Sequence, residues 1–368
     1  MIKDDAFEEA VSPNDFPQLY GANAKMANSA NLKKPNFVGV DLGGTNIKVG
    51  VLDDAGKTLS YVTTPTLVER GPEDATKRMA DAILQGVEKA GLTPADIARV
   101  GLGSPGTMDI PTGSLVRPSN LPGWNFFPIR DRLAENVGLP VTFAHDGPAA
   151  AFAEYWVGAG QGEEGLILLT LGTGVGCGIV LNGHVWNGTH SHGGEAGHNL
   201  IDTSENARWC KCGQRGHLEA YASATGVANR TIEYVEAEFK TSLTERVRAR
   251  KRDDEIPKMV FEEAEAGDEV ALRIVKETAR YLSHGMIALI HTIDPSCILI
   301  GGAMTFGGKT TATGRIFLET IEQETRSRIF LHLAERLRID YAVMGNDAGY
   351  VGAAGLARQD WEEAQVAE

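Results

Sequence analysis

The pattern of apolar and polar positions along this chain repeats once. The apolar run Phe37-Val-Gly-Val40 leads into Asp41-Leu-Gly-Gly-Thr-Asn-Ile-Lys-Val-Gly-Val-Leu52 and a turn signal, Asp53-Asp-Ala-Gly56. Later, Leu166-Ile-Leu-Leu169 leads into Thr170-Leu-Gly-Thr-Gly-Val-Gly-Cys-Gly-Ile-Val-Leu181 and the turn signal Asn182-Gly183. The two stretches align without a gap. Apolar run, Gly/Thr-rich turn, apolar run and second turn predict a β-hairpin in each half, not a strand feeding a helix. Glycine at a hairpin tip lets bare backbone N–H groups approach an anion, and threonine adds a hydroxyl donor. Two such turns facing each other across a cleft would hold a polyphosphate.

The other periodicities fill in an alternating order. Met79, Ile83 and Val87 fall at helical spacing and predict a helix over 72–90. A strand is expected over 99–103, a loop over 107–125, and a helix over 128–137 stopped by Gly138. A strand over 140–144 then meets His145-Asp-Gly-Pro148, where Asp146 reads as an N-cap before an Ala-rich helix running to 157. Residues 187–223 read as irregular and 224–289 as mostly helical. A strand over 297–300 runs into Gly301-Gly302. A helix near 315–329, a strand over 339–343 and a closing helix over 348–363 complete the chain. Strands alternating with helices make the fold class α/β. Neither turn fits GxxxxGK[ST], and no GxGxxG joins a strand to a helix, which argues against P-loop and Rossmann folds.

Composition narrows the function classes. At 368 residues with 42% hydrophobic and 23% charged residues, the chain is long enough for two domains with real cores and reads as a soluble globular protein. A formal net charge of −14 argues against nucleic acid as a partner. The basic stretch Arg246-Val-Arg-Ala-Arg-Lys-Arg252 is followed at once by Asp253-Asp-Glu255 and reads as a solvated helix end. No run of about 18 apolar residues predicts a membrane span, and no secretory signal is expected. Residues 1–35 read as a flexible extension with room for one short helix. Of the four cysteines, Cys210 and Cys212 are too close in sequence for a usual disulfide framework. That suggests a reducing, cytoplasmic setting and a metal site.

Several residues have the chemistry for a site. Gly43, Gly44 and Thr45 would cradle phosphate, and Asp41 at a strand end could orient a hydrated Mg²⁺. Asp146, between a strand and a helix, could orient a hydroxyl and accept its proton. Cys210, Cys212 and His217 offer three ligands in one short loop, and His198 a fourth, for tetrahedral Zn²⁺.

Asp41-Leu-Gly-Gly-Thr45, Gly172-Thr-Gly-Val-Gly176, Gly193-Gly-Glu-Ala-Gly-His198 and Cys210-Lys-Cys-Gly-Gln-Arg-Gly-His-Leu-Glu219 together resemble the ROK family of bacterial sugar kinases, over about residues 36–358. The resemblance implies two RNase-H-like domains of the actin-like, hexokinase type around a central cleft. The small domain would span 36–144 and the large one, with the zinc-type loop, 145–350. The C-terminal helix, 351–368, would return to the small domain. The resemblance also implies ATP-dependent phosphorylation of a hexose at its 6-hydroxyl, with glucose as the first choice. Alternatives are a fructo-, manno- or N-acetylamino-sugar kinase, or a non-catalytic sugar-sensing member of the family. By resemblance Asp146 is the catalytic base; Asn120, Glu195, His198 and Glu219 join it in binding the sugar. Gly172, Thr173 and Gly174 hold phosphate with the first turn, and Gly301-Gly302 lies against the nucleotide. The zinc would be structural, and the assembly a homodimer or homotetramer. The chain departs from the family pattern at His145, usually Asn, at Pro148, also usually Asn, and at His217, usually the third Cys.

Overall fold

The computed structural model describes residues 35–118 and 120–367. The expected N-terminal extension, apart from Pro35, lies outside them. Strands β1 (Asn36–Leu42) and β2 (Asn46–Leu52) pair antiparallel around Gly43-Gly-Thr45. β3 (Thr58–Pro65) adds outside β2. α1 (Pro72–Lys89) starts on a proline and buries Met79, Ile83 and Val87, the face read from the sequence. β4 (Ile97–Ser104) runs parallel to β1. A short ribbon, β5 (Met108–Asp109) with β6 (Ser114–Leu115), occupies part of the stretch expected to be loop. α2 (Ile129–Val137) ends on Gly138 at φ 73°, where a Cβ would be strained. β7 (Val141–His145) closes the first sheet, in the order β3-β2-β1-β4-β7.

α3 (Asp146–Val157) follows β7 without a gap. The second hairpin is β8 (Gly165–Leu171) with β9 (Val175–Leu181), extended by β10 (His184–Val185). A helical layer then forms from α4 (Glu219–Ala222), α5 (Ala224–Glu236), α6 (Leu243–Ala249), α7 (Ile256–Glu265) and α8 (Glu269–Ile293). β11 (Cys297–Gly301), α9 (Ala312–Arg326), α10 (Leu331–Arg336), β12 (Arg338–Tyr341) and α11 (Ala348–Ala367) end the chain. The second sheet has the order β10-β9-β8-β11-β12. The repeat seen in the sequence therefore extends to five strands: a three-stranded antiparallel edge joined to two parallel strands in each sheet.

Three local readings are corrected. β3 is absent from the sequence reading because only its Val62 is buried, so the strand leaves little hydrophobic period. Asp146 is the first helical residue of α3, not its cap; His145 holds the cap position in extended backbone. The helix expected near 315–329 begins at Ala312, where Thr311 Oγ1 accepts from Gly314 N–H, and it stops at Arg326.

Glycines set how the layers meet. α11 lies on β1 and β4, where a Cβ on Gly39 would stand 1.7 Å from Tyr350 O and one on Gly101 1.8 Å from Ala353 O. On its other side α11 meets α3, where a Cβ on Gly352 would stand 1.6 Å from Ala149 O. α3 in turn meets β9, where a Cβ on Gly178 would stand 2.5 Å from Gly147 O. Buried Glu154 on α3 accepts from Ala159 N–H at 2.8 Å, Val343 N–H at 2.8 Å and Met344 N–H at 2.7 Å, tying α3 to the segment that enters α11. Among the described residues no helix is long and apolar enough to cross a membrane.

Gly352→Val should destabilise the protein by about 3 kcal/mol or prevent folding, because backbone cannot yield as a side chain does. Ala364→Val, at the exposed end of the same helix, should cost no more than about 1 kcal/mol. Chemical denaturation of the two variants checks the contrast.

Candidate active site

The two glycine turns are fixed by their carbonyls and open at their N–H groups. In the first, Thr66 Oγ1 donates to Gly43 O at 2.6 Å and Thr66 N–H to Thr45 O at 2.8 Å. In the second, Ala224 N–H donates to Gly172 O at 2.8 Å and Thr225 Oγ1 to Thr173 O at 2.9 Å. Gly43 N–H and Gly172 N–H close their own turns, on Asn46 O at 2.9 Å and Gly174 O at 3.0 Å. The N–H groups of Gly44, Thr45, Thr173 and Gly174 donate to no group among the described residues. Exposed, unpartnered N–H groups on a rigid turn are what an anion requires.

Asp41, at the end of β1, pairs with Lys48 Nζ at 3.2 Å, and the same ammonium donates to Asn346 O at 3.1 Å. A Cβ on Gly349 would lie 2.6 Å from the Asp41 carboxyl carbon, so the first turn of α11 abuts this carboxylate. The N-terminal end of α11 and the lysine ammonium thus both lie against it. Lys48 was not singled out in the sequence. Its link to Asn346 joins residues far apart in the chain and leaves no local signal.

Asp146 stands at the first turn of α3, with Oδ1 accepting from Gly147 N–H at 2.7 Å. Its side chain reaches solvent, yet the surrounding protein desolvates it. Burial, then the charges of Asp41 and Glu195, push its carboxyl up from 3.8 to about 6. Asp41, at the end of β1, and Glu195, in the loop after β10, both lie near enough to act on Asp146. Beside it, burial and the nearby His192 push His145 down to about 4, so the imidazole is neutral at pH 7. Its Nε2 is buried without a partner. His192, whose ring centroid is 6.3 Å from that of His145, is a further neighbour not foreseen in the sequence.

The remaining candidates fall in two groups. Asn120 is exposed, and its backbone carbonyl oxygen lies 3.6 Å from where a Gly44 Cβ would be. The adjacent Trp124 is buried and donates from Nε1 to Val68 O at 3.1 Å, which fixes this loop on the first-sheet side. Glu219, at the start of α4, accepts from Val175 N–H at 3.2 Å with Oε2 and from Cys210 Sγ at 3.6 Å with Oε1. A Cβ on Gly174 would lie 2.1 Å from Glu219 Oε2, so this carboxylate sits directly against the second turn. No hydrogen bond among the described residues joins the first turn to the second. Gly302, at φ 89°, approaches Leu171 so closely that a Cβ would stand 2.3 Å from Leu171 O. Gly301-Gly302 thus lies behind the second turn.

His198, Cys210, Cys212 and His217 converge, with one ligand atom from each lying within 4.8 Å of all the others. His198 Nδ1 and His217 Nδ1 are 3.3 Å apart, and Cys212 Sγ is 3.2 Å from His217 Nδ1. Two sulfurs and two imidazole nitrogens at such separations suit a tetrahedral ion with bonds of about 2.0–2.3 Å.

Raising the Asp146 carboxyl means that the folded protein holds this proton more tightly than the unfolded chain does. The cost of ionising it appears as pH rises through about 4 to 6, and it persists above. Asp146→Asn should therefore melt at a higher temperature than the wild type near pH 7.5, with the gain vanishing near pH 4. Thermal melts of both proteins across that range check the sign.

Comparison with known proteins places the chain in a family. A glucokinase of Halalkalibacterium halodurans is 36% identical over 323 residues, covering 88% of this chain and 95% of the relative. A ROK hexokinase from Thermus thermophilus superimposes with a TM-score of 0.73 at 33% identity, covering 89% of this chain and 99% of that one. A ROK family glucokinase from Streptomyces griseus, solved in complex with glucose and AMPPNP, gives a TM-score of 0.69 at 31% identity, covering 88% and 99%. With the ROK family model matching residues 37–360 as well, this chain belongs to the ROK family.

Proposed function

We propose that this protein transfers the terminal phosphoryl group of ATP to the 6-hydroxyl of a hexose, with glucose as the preferred acceptor. The observation that carries the reading is Asp146: a carboxylate in the first turn of a helix, raised to about 6 by burial and by the charges of Asp41 and Glu195. A base of that strength is ionised at pH 7 and still basic enough to take a hydroxyl proton. The family's glucokinases, one of them solved with glucose and AMPPNP, support the choice of substrates.

Each side chain then has a task. The open N–H groups of Gly44, Thr45, Thr173 and Gly174, in the turns shaped by Gly43 and Gly172, receive the β- and γ-phosphates, and Gly301-Gly302 borders the adenosine. Asp41 would hold hydrated Mg²⁺, which offsets phosphate charge when bound. Asn120, Glu195, His198 and Glu219 bond the sugar hydroxyls, and Asp146 orients the 6-hydroxyl and accepts its proton. Residues 36–144 act as a small domain and 145–350 as a large one, with 351–368 returning to the small domain. Their closure excludes water, so that sugar and not solvent receives the phosphoryl group.

Cys210, Cys212, His198 and His217 would hold a structural zinc. With the Cys210 thiol ionised it no longer donates to Glu219 Oε1, and that oxygen becomes available to a sugar hydroxyl. His198 uses Nδ1 in the cluster and leaves Nε2 for the sugar. The protein is read as a cytoplasmic homodimer or homotetramer that binds neither nucleic acid nor membrane.

Asp146→Asn should lower turnover by about 10²- to 10⁴-fold while changing sugar affinity only modestly. Wild-type turnover in that variant removes Asp146 from the mechanism. The wild-type rate should also rise with pH through about 6, as the base ionises. Protein purified without added metal should contain about one equivalent of zinc, and Cys212→Ala should lose it and melt earlier. Less than half an equivalent with full activity would argue against the site.

A further inference from the structure

The loop after β10 is rooted on the second sheet, and its tip touches the first. Its ends are tied together: Gly193 N–H donates to Asn187 O at 2.7 Å, and a Cβ on Gly193 would stand 2.7 Å from the Asn187 carbonyl carbon. At the root, a Cβ on Gly194 would lie 3.2 Å from Cys177 O of β9. Residues 188–192 therefore project as one closed loop, with Ser191 near its tip. Glu195 follows the root directly.

Ser191 is buried and holds a φ of 58°. A residue with a Cβ adopts that left-handed backbone only at a cost, so its surroundings must hold it there. Two contacts do so, both from the first sheet's side. Ser191 Oγ accepts from Ile110 N–H at 3.0 Å, just past β5. The Ser191 backbone hydrogen-bonds the ring of His145, the last residue of β7. The next ring in the loop, His192, stands edge-on to the same imidazole. Other bonds between the halves run to α11 or its lead-in: Lys48 to Asn346 O at 3.1 Å, and Thr142 to Asp360 at 2.5 Å. Because α11 itself packs on β1 and β4, such bonds do not tie the second sheet to the first. The bond from Ile110 to Ser191 does.

We propose that Ser191 is a latch residue, whose hydroxyl holds the second-sheet loop against the first-sheet ribbon and biases the cleft toward its closed arrangement. One buried hydrogen bond is a small part of total stability, yet it shifts a two-state opening equilibrium severalfold. A sugar that is gripped only in the closed arrangement loses apparent affinity by the factor through which closure is lost. Ser191 touches no reacting atom; it acts by positioning the loop that carries Glu195 beside Asp146. The inference rests on the kinase reading for the identity of the ligand, while the contact itself stands apart from it.

The test is steady-state kinetics with glucose and Mg-ATP on the full chain, with hydrogen exchange of the unliganded protein. Ser191→Ala should raise the glucose KM about three- to tenfold. Its kcat should be unchanged or higher, because opening precedes product release. Amides over 108–116 and 187–193 should exchange faster together, by a similar factor. Ser191→Gly removes the hydroxyl but relieves the left-handed backbone, so it should melt above Ser191→Ala yet show the same rise in KM. That contrast separates a latch from a merely structural serine, for which KM would follow stability. A glucose KM within about twofold of the wild type in either variant overturns the proposal, as does a fall in kcat at unchanged KM. Failure of the kinase reading shows separately, as no ADP release by the wild type with any sugar. Hydrogen exchange then decides alone: rates within about twofold of the wild type in either segment of Ser191→Ala overturn the latch.

Discussion

The close backbone contact of α3 and α11 is the constraint on which the rest of the structure depends. Gly352 against Ala149, Gly39 and Gly101 against α11, and Gly178 against α3 bring two helices and two sheets within backbone distance of one another. Contacts of this kind are short-ranged and unforgiving, since close-packed backbone transmits any added volume. Both helices begin at the site: α3 carries Asp146 in its first turn, and the first turn of α11 lies against the Asp41 carboxylate. The packing that unites the sheets therefore also aims two helix N-termini at one region.

That region concentrates negative charge. Asp41 and Glu195 both act on Asp146 and raise its carboxyl. Lys48 offsets part of this through its pair with Asp41, but side chains exposed by 31% and 19% make such a pair a weak stabiliser. A site of this kind is completed by cationic or hydrogen-bond-donating partners. The unpartnered N–H groups of the two glycine turns are donors of the kind an anion requires, with no added charged side chain. In the function proposed here, a chain with a net charge of −14 would bind a polyanionic substrate through such local geometry.

Much of this was legible in the sequence where the signal is local. The hairpins could be read because glycine turns separate apolar runs of strand length, and the metal-type cluster because Cys210, Cys212 and His217 share one loop. Asp146 was found as a strand-to-helix carboxylate but misread as a cap, since Asp before Gly-Pro carries the same pattern one position away. β3 escaped because a strand exposed along most of its length has no hydrophobic period. The tethering of Glu219 to the second turn and the Lys48–Asn346 link both join residues distant in the chain. No spacing rule reaches them. His145 was visible as a departure from the family, but its neutral state follows from burial and His192, which only the fold brings together.

ADP release from Mg-ATP, measured against glucose, mannose, fructose, N-acetylglucosamine and N-acetylmannosamine, tests the central claim most directly. The account predicts strong release with glucose, dependent on the sugar, and little with water alone. A signal with another sugar alone would keep the phosphoryl-transfer geometry and contradict the choice of glucose. Release that ignores every sugar, or silence with all of them, would contradict the claim that this site phosphorylates a hexose.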